Sequence, residues 1–192
     1  GERIVDAILN TADKDFKSAI SLNAVISRVT LPLKKFPSIE EADRKLEEAA
    51  LRLEGLRREK APKSEIRTAE CDWFGAEEIV TLARLAGNNE LNETIKAILP
   101  AEVQIFEIDN NYFVCLPGEY FVEYSIYIKE KSLNKTFVIA LANGDLQSYI
   151  VTQDAYAEGG YEACNSLFPP EAGEIIAREA VRLIKARLEI NP

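Results

Sequence analysis

The side chains of this sequence that could do chemistry are mostly oxygen donors. Residues 149 to 162 read YIVTQDAYAEGGYE and carry Tyr149, Tyr156 and Tyr161 together with Asp154, Glu158 and Glu162. Upstream, Glu119 stands in the turn-forming run LPGEY. The chain contains no histidine, so neither a Ser-His-Asp nor a Cys-His mechanism can be completed within it. A carboxylate and a phenol can still serve a divalent cation. A free phenol titrates near 10, but a metal charge beside it makes a phenolate or strongly polarised phenol accessible at neutral pH. Glu119 and Tyr149 are therefore candidate oxygen ligands. Two are too few, because a catalytic zinc generally takes three protein ligands and a water, usually with at least one histidine. Any remaining ligands must come from outside this chain. Taken singly, each residue also has a plainer reading: a glutamate favoured at a helix start by the dipole, worth about 0.3–1 kcal/mol, and a tyrosine that packs its ring or donates a hydrogen bond.

The elements that position these residues follow from periodicity. Ala101 to Asp109 and Asn111 to Gly118 read as two strands hinged at Asn110-Asn111, and the run EYFVEYSIYIKEK reads as a helix with Glu119 at or near its first turn. KTFVIALAN is a third strand, and the run from Pro169 onward is a final helix with prolines at its start. Strand, helix and strand in succession imply a right-handed crossover and a parallel pair. Ligands of such sheets gather beyond the carboxyl ends of the strands. The ends at LPGEY and LANGDLQSY should therefore be neighbours.

Residues 1–100 read as a helix-rich region with one strand. Residues 2–20 carry a mostly helical period, and 24–33 alternate as a strand. Ser38 and Glu41 form a capping box ahead of a long amphipathic helix with Ala42, Leu46, Ala49, Leu53 and Leu56 on one face. Glu40/Arg44, Glu41/Lys45, Glu48/Arg52 and Glu54/Arg58 are spaced as i,i+4 pairs along it. Its spacing suits packing on the parent domain better than a coiled coil. The helix breaks near Pro62, and another runs from Phe74 to Gly87, preceded by Trp73 as a core anchor. The fold class is mixed α/β: a mixed sheet with one strand-helix-strand crossover, flanked by amphipathic helices. It forms one domain, or a fragment of one, with 101–192 as the sheet-forming region.

Composition narrows the function. At 192 residues and 47% hydrophobic, the chain is long enough to bury its own core. A net charge of -9 disfavours nucleic acid and anionic membrane surfaces. No run approaches the length of a membrane span, and the N-terminus lacks a signal-peptide pattern. Cys71, Cys115 and Cys164 lie too far apart for a zinc finger or a disulfide framework, and Cys115 reads as a buried small hydrophobe. The chain starts at Gly1 and has no methionine, which is expected of a processed product or part of a larger protein.

Taken together, PGE at a strand end, a strand ending in LAN, and SYIVTQDAYAEGGYE resemble the neutral/alkaline (non-lysosomal) ceramidases. The later catalytic-domain segment of that family carries a Pro-Gly-Glu-like turn and a Tyr-Ile/Val-Thr-Thr, Glu-Glu-Tyr, Arg-Tyr-Glu block. The step from Tyr149 to Tyr161, with Tyr156 between and Glu162 after, fits the block without a gap, and SLFPPEA stands where the family has a Thr-Leu-Tyr/Phe-Gly-Pro-like run. The match covers roughly residues 101–175. The resemblance implies zinc held by Glu119 and Tyr149 together with two upstream histidines, and Tyr161 lining the site to steady the oxyanion of amide hydrolysis. It implies an N-acyl sphingosine-type lipid amide as substrate. It also implies that the upstream half of the catalytic domain, with its histidines, a serine and an arginine, is a necessary partner. Val151 replaces a threonine of the block, Gly159 and Gly160 stand where an arginine precedes the tyrosine, and the helix after PGE lacks the family's hydroxyl- and arginine-rich character. These changes would alter the pocket wall and leave the oxygen ligands in place. The alternative is a non-catalytic lipid- or protein-binding domain of the same fold, using the long amphipathic helix as its contact surface.

Overall fold

The computed structural model describes residues 1–11, 16–132, 135–144, 146 and 149–190. In chain order the elements are α1 (Glu2–Leu9), β1 (Leu22–Val29), α2 (Ile39–Arg58), α3 (Lys63–Gly87), α4 (Glu90–Ile98), β2 (Ala101–Ile108), β3 (Asn111–Cys115) and β4 (Glu119–Tyr120). They continue with α5 (Val122–Lys131), β5 (Lys135–Ile139), β6 (Tyr149–Ile150), α6 (Gln153–Glu158), α7 (Tyr161–Cys164) and α8 (Glu171–Ile190). The chain is a mixed α/β fold.

Four strands form the main sheet in the order β1-β2-β3-β5. β1, β2 and β3 pair antiparallel, whereas β5 returns parallel to β3 after α5, the crossover expected from the sequence. The β2–β3 hairpin turns at Asp109-Asn110, one residue earlier than expected, with Asp109 at φ +52°. Alternation along each strand sends Val103, Ile105, Tyr112 and Val114 inward, all at most 1% exposed, and α8 and α5 cover that face. Arg187 of α8 donates from Nε and Nη2 to the carboxylate of the buried Glu107 at 3.1 and 3.0 Å, pairing the one acid on that face. The same core takes in Leu31, Leu82, Leu91 and Ile95 from the helix-rich region.

α2 and α3 lie side by side, and Ala42 and Leu53 of the amphipathic stripe are buried. The Ser38 hydroxyl accepts from the Glu41 N–H at 3.2 Å, as the capping box requires. Glu41 and Lys45 form their expected pair at 3.4 Å, while Arg52 and Arg57 reach across to Asp72 and Glu70 of α3 at 2.6 and 2.7 Å. Several sequence readings change, beginning with the helix expected from Phe74, which instead starts at Lys63 directly after Pro62. The helix expected over 2–20 ends at Leu9, with 12–15 outside the described residues, because none of its residues is buried and packing supplies most helical stability. The strand expected over 24–33 runs instead over Leu22–Val29, as far as its register with β2 extends. Trp73 is a half-buried residue inside α3, tilted against Phe74 at 5.0 Å between ring centroids, and not a core anchor.

α5 packs closely on α8. The Tyr124 hydroxyl lies 2.9 Å from the Val151 carbonyl and 3.1 Å from the Pro170 carbonyl, and donates its one proton between them. A Cβ on Gly173 would fall 2.2 Å from the Tyr124 ring. Gly173→Ala is thus expected to destabilise the fold by about 1–3 kcal/mol, read from chemical denaturation. Burial, with the charges of Glu174, Glu123 and Glu171, pushes the Tyr124 phenol up to about 12. Its contribution to stability is complete below about pH 10, the unfolded value, and is lost as pH rises through about 12. Tyr124→Phe should remove that part of the alkaline transition, followed by circular dichroism between these values.

Candidate functional site

The residues singled out in the sequence meet at a small second sheet. β4 and β6 pair in parallel, and their register places Glu119 opposite Tyr149 and Tyr120 opposite Ile150. Neighbouring strands lie about 4.8 Å apart, and residues opposite one another leave a sheet on the same face. Tyr161, the first residue of α7, sets its ring edge-on to Tyr149 with centroids 6.0 Å apart. Glu119 is exposed, and both tyrosines are half-buried.

Local structure explains the meeting. Cys115 and Ile139 are opposite one another at the ends of β3 and β5. Leu116 N–H then donates to the Ile139 carbonyl at 2.9 Å and Leu141 N–H to the Gly118 carbonyl at 3.1 Å, which makes the two strand ends neighbours as expected. Gly118 turns the chain at φ +98°, a conformation that a residue with a Cβ rarely adopts. Glu119 then enters β4, not the first turn of a helix; α5 begins at Val122. The cause is pairing: Phe121 N–H donates to the Ile150 carbonyl at 3.1 Å, holding Tyr120 and Phe121 extended before the helix can start. Ile150 and Val151 are each 1% exposed, so the segment after Tyr149 is more deeply seated than its polarity suggests. Asp145, Gln147 and Ser148 of the LANGDLQSY end lie outside the described residues.

Electrostatics tie the same groups together. Burial pushes the Tyr149 phenol above its ordinary value, and the Glu119 carboxylate, Tyr161 and Glu162 add to the effect in that order. In the protein by itself Tyr149 is thus a neutral phenol at neutral pH. A divalent cation at the Glu119-Tyr149 pair would act in the opposite sense.

Sequence reasoning did not single out two further contributors. Lys34 donates its ammonium to the carbonyls of Ala163, Cys164 and Ser166 at 2.8, 3.2 and 3.3 Å, closing the C-terminal end of the short helix that begins with Tyr161. Burial lowers the Lys34 pKa, and its charge also lies 5.9 Å from the centre of the Tyr156 ring. Tyr156 is therefore engaged with Lys34. α3 supplies the other contribution, because Cys71, Phe74, Glu78 and Thr81 line a groove of about 780 Å³ with Tyr161 and Asn165. A cavity of about 440 Å³ between α5, α6 and α8 contains none of the three candidate residues.

Glu119 and Tyr149 offer two oxygen donors from paired backbone positions. No cluster of three or more histidine, cysteine or acidic residues able to hold a metal occurs among the described residues. No protein-family model, curated protein or solved structure matches the chain.

The Glu119-Tyr149 geometry has a direct check. Glu119→Gln removes the second-largest cause of the Tyr149 shift and should move the phenol downward toward 10. The shift should remain partly in place, because burial is its first cause, and ultraviolet titration against a Tyr149→Phe control reads the difference.

Proposed function

We propose that this chain carries one half of the active site of a zinc-dependent amidohydrolase resembling the neutral ceramidases, acting on the amide bond of N-acyl sphingosine-type lipids. The observation that carries this reading is the parallel register of Glu119 with Tyr149 together with the edge contact of Tyr149 and Tyr161. These are the residues the family resemblance picks out, drawn from two separate stretches of sequence. A helical cap or sheet rim has no need to bring a carboxylate and two phenols to one place.

In this reading Glu119 and Tyr149 hold the metal from one side, and a bound zinc supplies Lewis acidity and a water of lowered pKa. The remaining roles belong to the side chains. Tyr161 donates a hydrogen bond from its hydroxyl to the oxygen that becomes negative as the amide carbonyl turns tetrahedral, and a donor of that kind typically contributes about 10²–10³ in rate. The edge contact with Tyr149 and the Lys34 cap on α7 fix the Tyr161 ring, so Lys34 acts as a positioning residue. Gly159 and Gly160, both at positive φ, lead into that helix without side chains. The absence of an arginine there leaves room in the wall for a different head group.

A second reading, a non-catalytic binding domain of the same fold, draws support from the apolar face that the main sheet leaves open. Its contact surface would be that face, since the stripe of α2 is taken up by α3.

The chain alone is expected to bind zinc weakly and to leave N-acyl sphingosine intact. Isothermal titration with zinc should show that weak binding disappear in Glu119→Gln and Tyr149→Phe. Robust ceramide hydrolysis by the isolated chain, or zinc binding indifferent to both substitutions, would sink the half-site reading.

A further inference from the structure

Two apolar surfaces of this chain face solvent, and a short stretch of sequence joins them. The first is α1. Ile4, Val5, Ile8 and Leu9 form a stripe along one side of its eight residues, with Arg3 and Asp6 on the other, and each of the four is at least 52% exposed. A helix of that length is marginal in water by itself, because too few hydrogen bonds offset the cost of nucleation. It holds where its stripe packs against something.

The second surface is the face of the main sheet opposite α5 and α8, which stays open among the described residues. Leu22, Ile108, Asn111 and Lys135 form its first row, at the end where the β2–β3 hairpin turns. Ala24, Phe106, Phe113 and Phe137 form the next, with Phe113 and Phe137 stacked at 5.1 Å. Ile26 and Ile139 belong to the third. Phe106, Phe137, Ile26 and Ile139 are between 40% and 50% exposed. A sheet face of this kind is ordinarily covered by a further layer.

The connection between the two surfaces decides which layer that is. Asp109, at the hairpin turn, accepts from the Lys17 ammonium at 2.7 Å and from the Ser21 N–H at 3.0 Å, and its own N–H donates to the Ser21 carbonyl at 2.8 Å. The chain leading back to α1 is thus pinned at the hairpin end of the open face. Seven residues, 10–16, separate Leu9 from Lys17, and they span at most about 28 Å. The phenylalanine row lies one row in from the pinned end, about 7 Å away. α1 is about 12 Å long, enough to cross the three strands that carry Phe106, Phe113 and Phe137, about 10 Å from first to last. A connection this short gives an effective concentration in the millimolar range. The α1 of the same chain therefore outcompetes a second copy for this face at ordinary protein concentrations.

We propose that α1 is a strap for the open face: it docks the Ile4, Val5, Ile8 and Leu9 stripe on the Phe106, Phe113 and Phe137 row of its own sheet, and its release exposes that row.

Hydrogen exchange of the full chain, read by mass spectrometry on the peptide covering residues 2–9, tests the docking. In the wild type these amides should exchange about tenfold or more slower than those of an unstructured peptide, and Phe106→Asp and Phe137→Asp should each remove that protection. Ile8→Asp, a change on α1 that leaves the core untouched, should remove it as well and raise the binding of anilinonaphthalene sulfonate severalfold as the row is uncovered. Circular dichroism shows that each variant folds, and sedimentation shows that the protected species is a monomer. Unprotected α1 amides in the wild type overturn the proposal, as does protection that survives both sheet substitutions. Protection that disappears on dilution as a dimer dissociates also overturns it, because the occupant is then a second copy.

Discussion

The Tyr124 hydroxyl is the point on which the site half of the molecule depends. From the first turn of α5 it reaches the carbonyl of Val151, just past β6, and the carbonyl of Pro170, just before α8. One phenol thus fixes the crossover helix, the short strand bearing Tyr149 and the start of the long C-terminal helix. Gly173 lets the ring lie against α8, since any Cβ there would overlap it. The arrangement is rigid because the alternative is two buried carbonyls with one donor fewer, which costs about 1–3 kcal/mol for each group left unsatisfied.

Rigidity at that point is transmitted outward by short hydrogen bonds. Phe121 N–H to Ile150 closes β4 on β6, and the ladder continued from Leu116 to Ile139 and from Leu141 to Gly118 keeps the two strand ends together. Glu119 and Tyr149 are consequently brought opposite one another by backbone pairing. On the far side, Lys34 holds the end of α7 through the carbonyls of Ala163, Cys164 and Ser166.

Much of this was legible in the sequence. Alternation in 101–115 and 135–139 gave the strands, the period between them gave the crossover helix, and Ser38 with Glu41 gave the start of α2, because side-chain period and capping chemistry are local properties. Glu119 and Tyr149 were named from their residue types and their places beyond strand ends, and Tyr161 from the family resemblance. What the sequence could not supply was the β4–β6 pairing, since a two-residue strand has no period and exists only where a partner backbone meets it. For the same reason it put Glu119 in a helix, placed Trp73 in the core and carried the first helix on to residue 20: propensity describes a segment by itself, while burial depends on what folds against it. The sequence by itself determined where the oxygen-bearing side chains stand and that no histidine of this chain can assist them. Only the tertiary structure decided that Glu119 and Tyr149 are cross-strand neighbours, that Lys34 and α3 build the far wall, and which face of the sheet is left open, because each follows from contacts between segments distant in the chain.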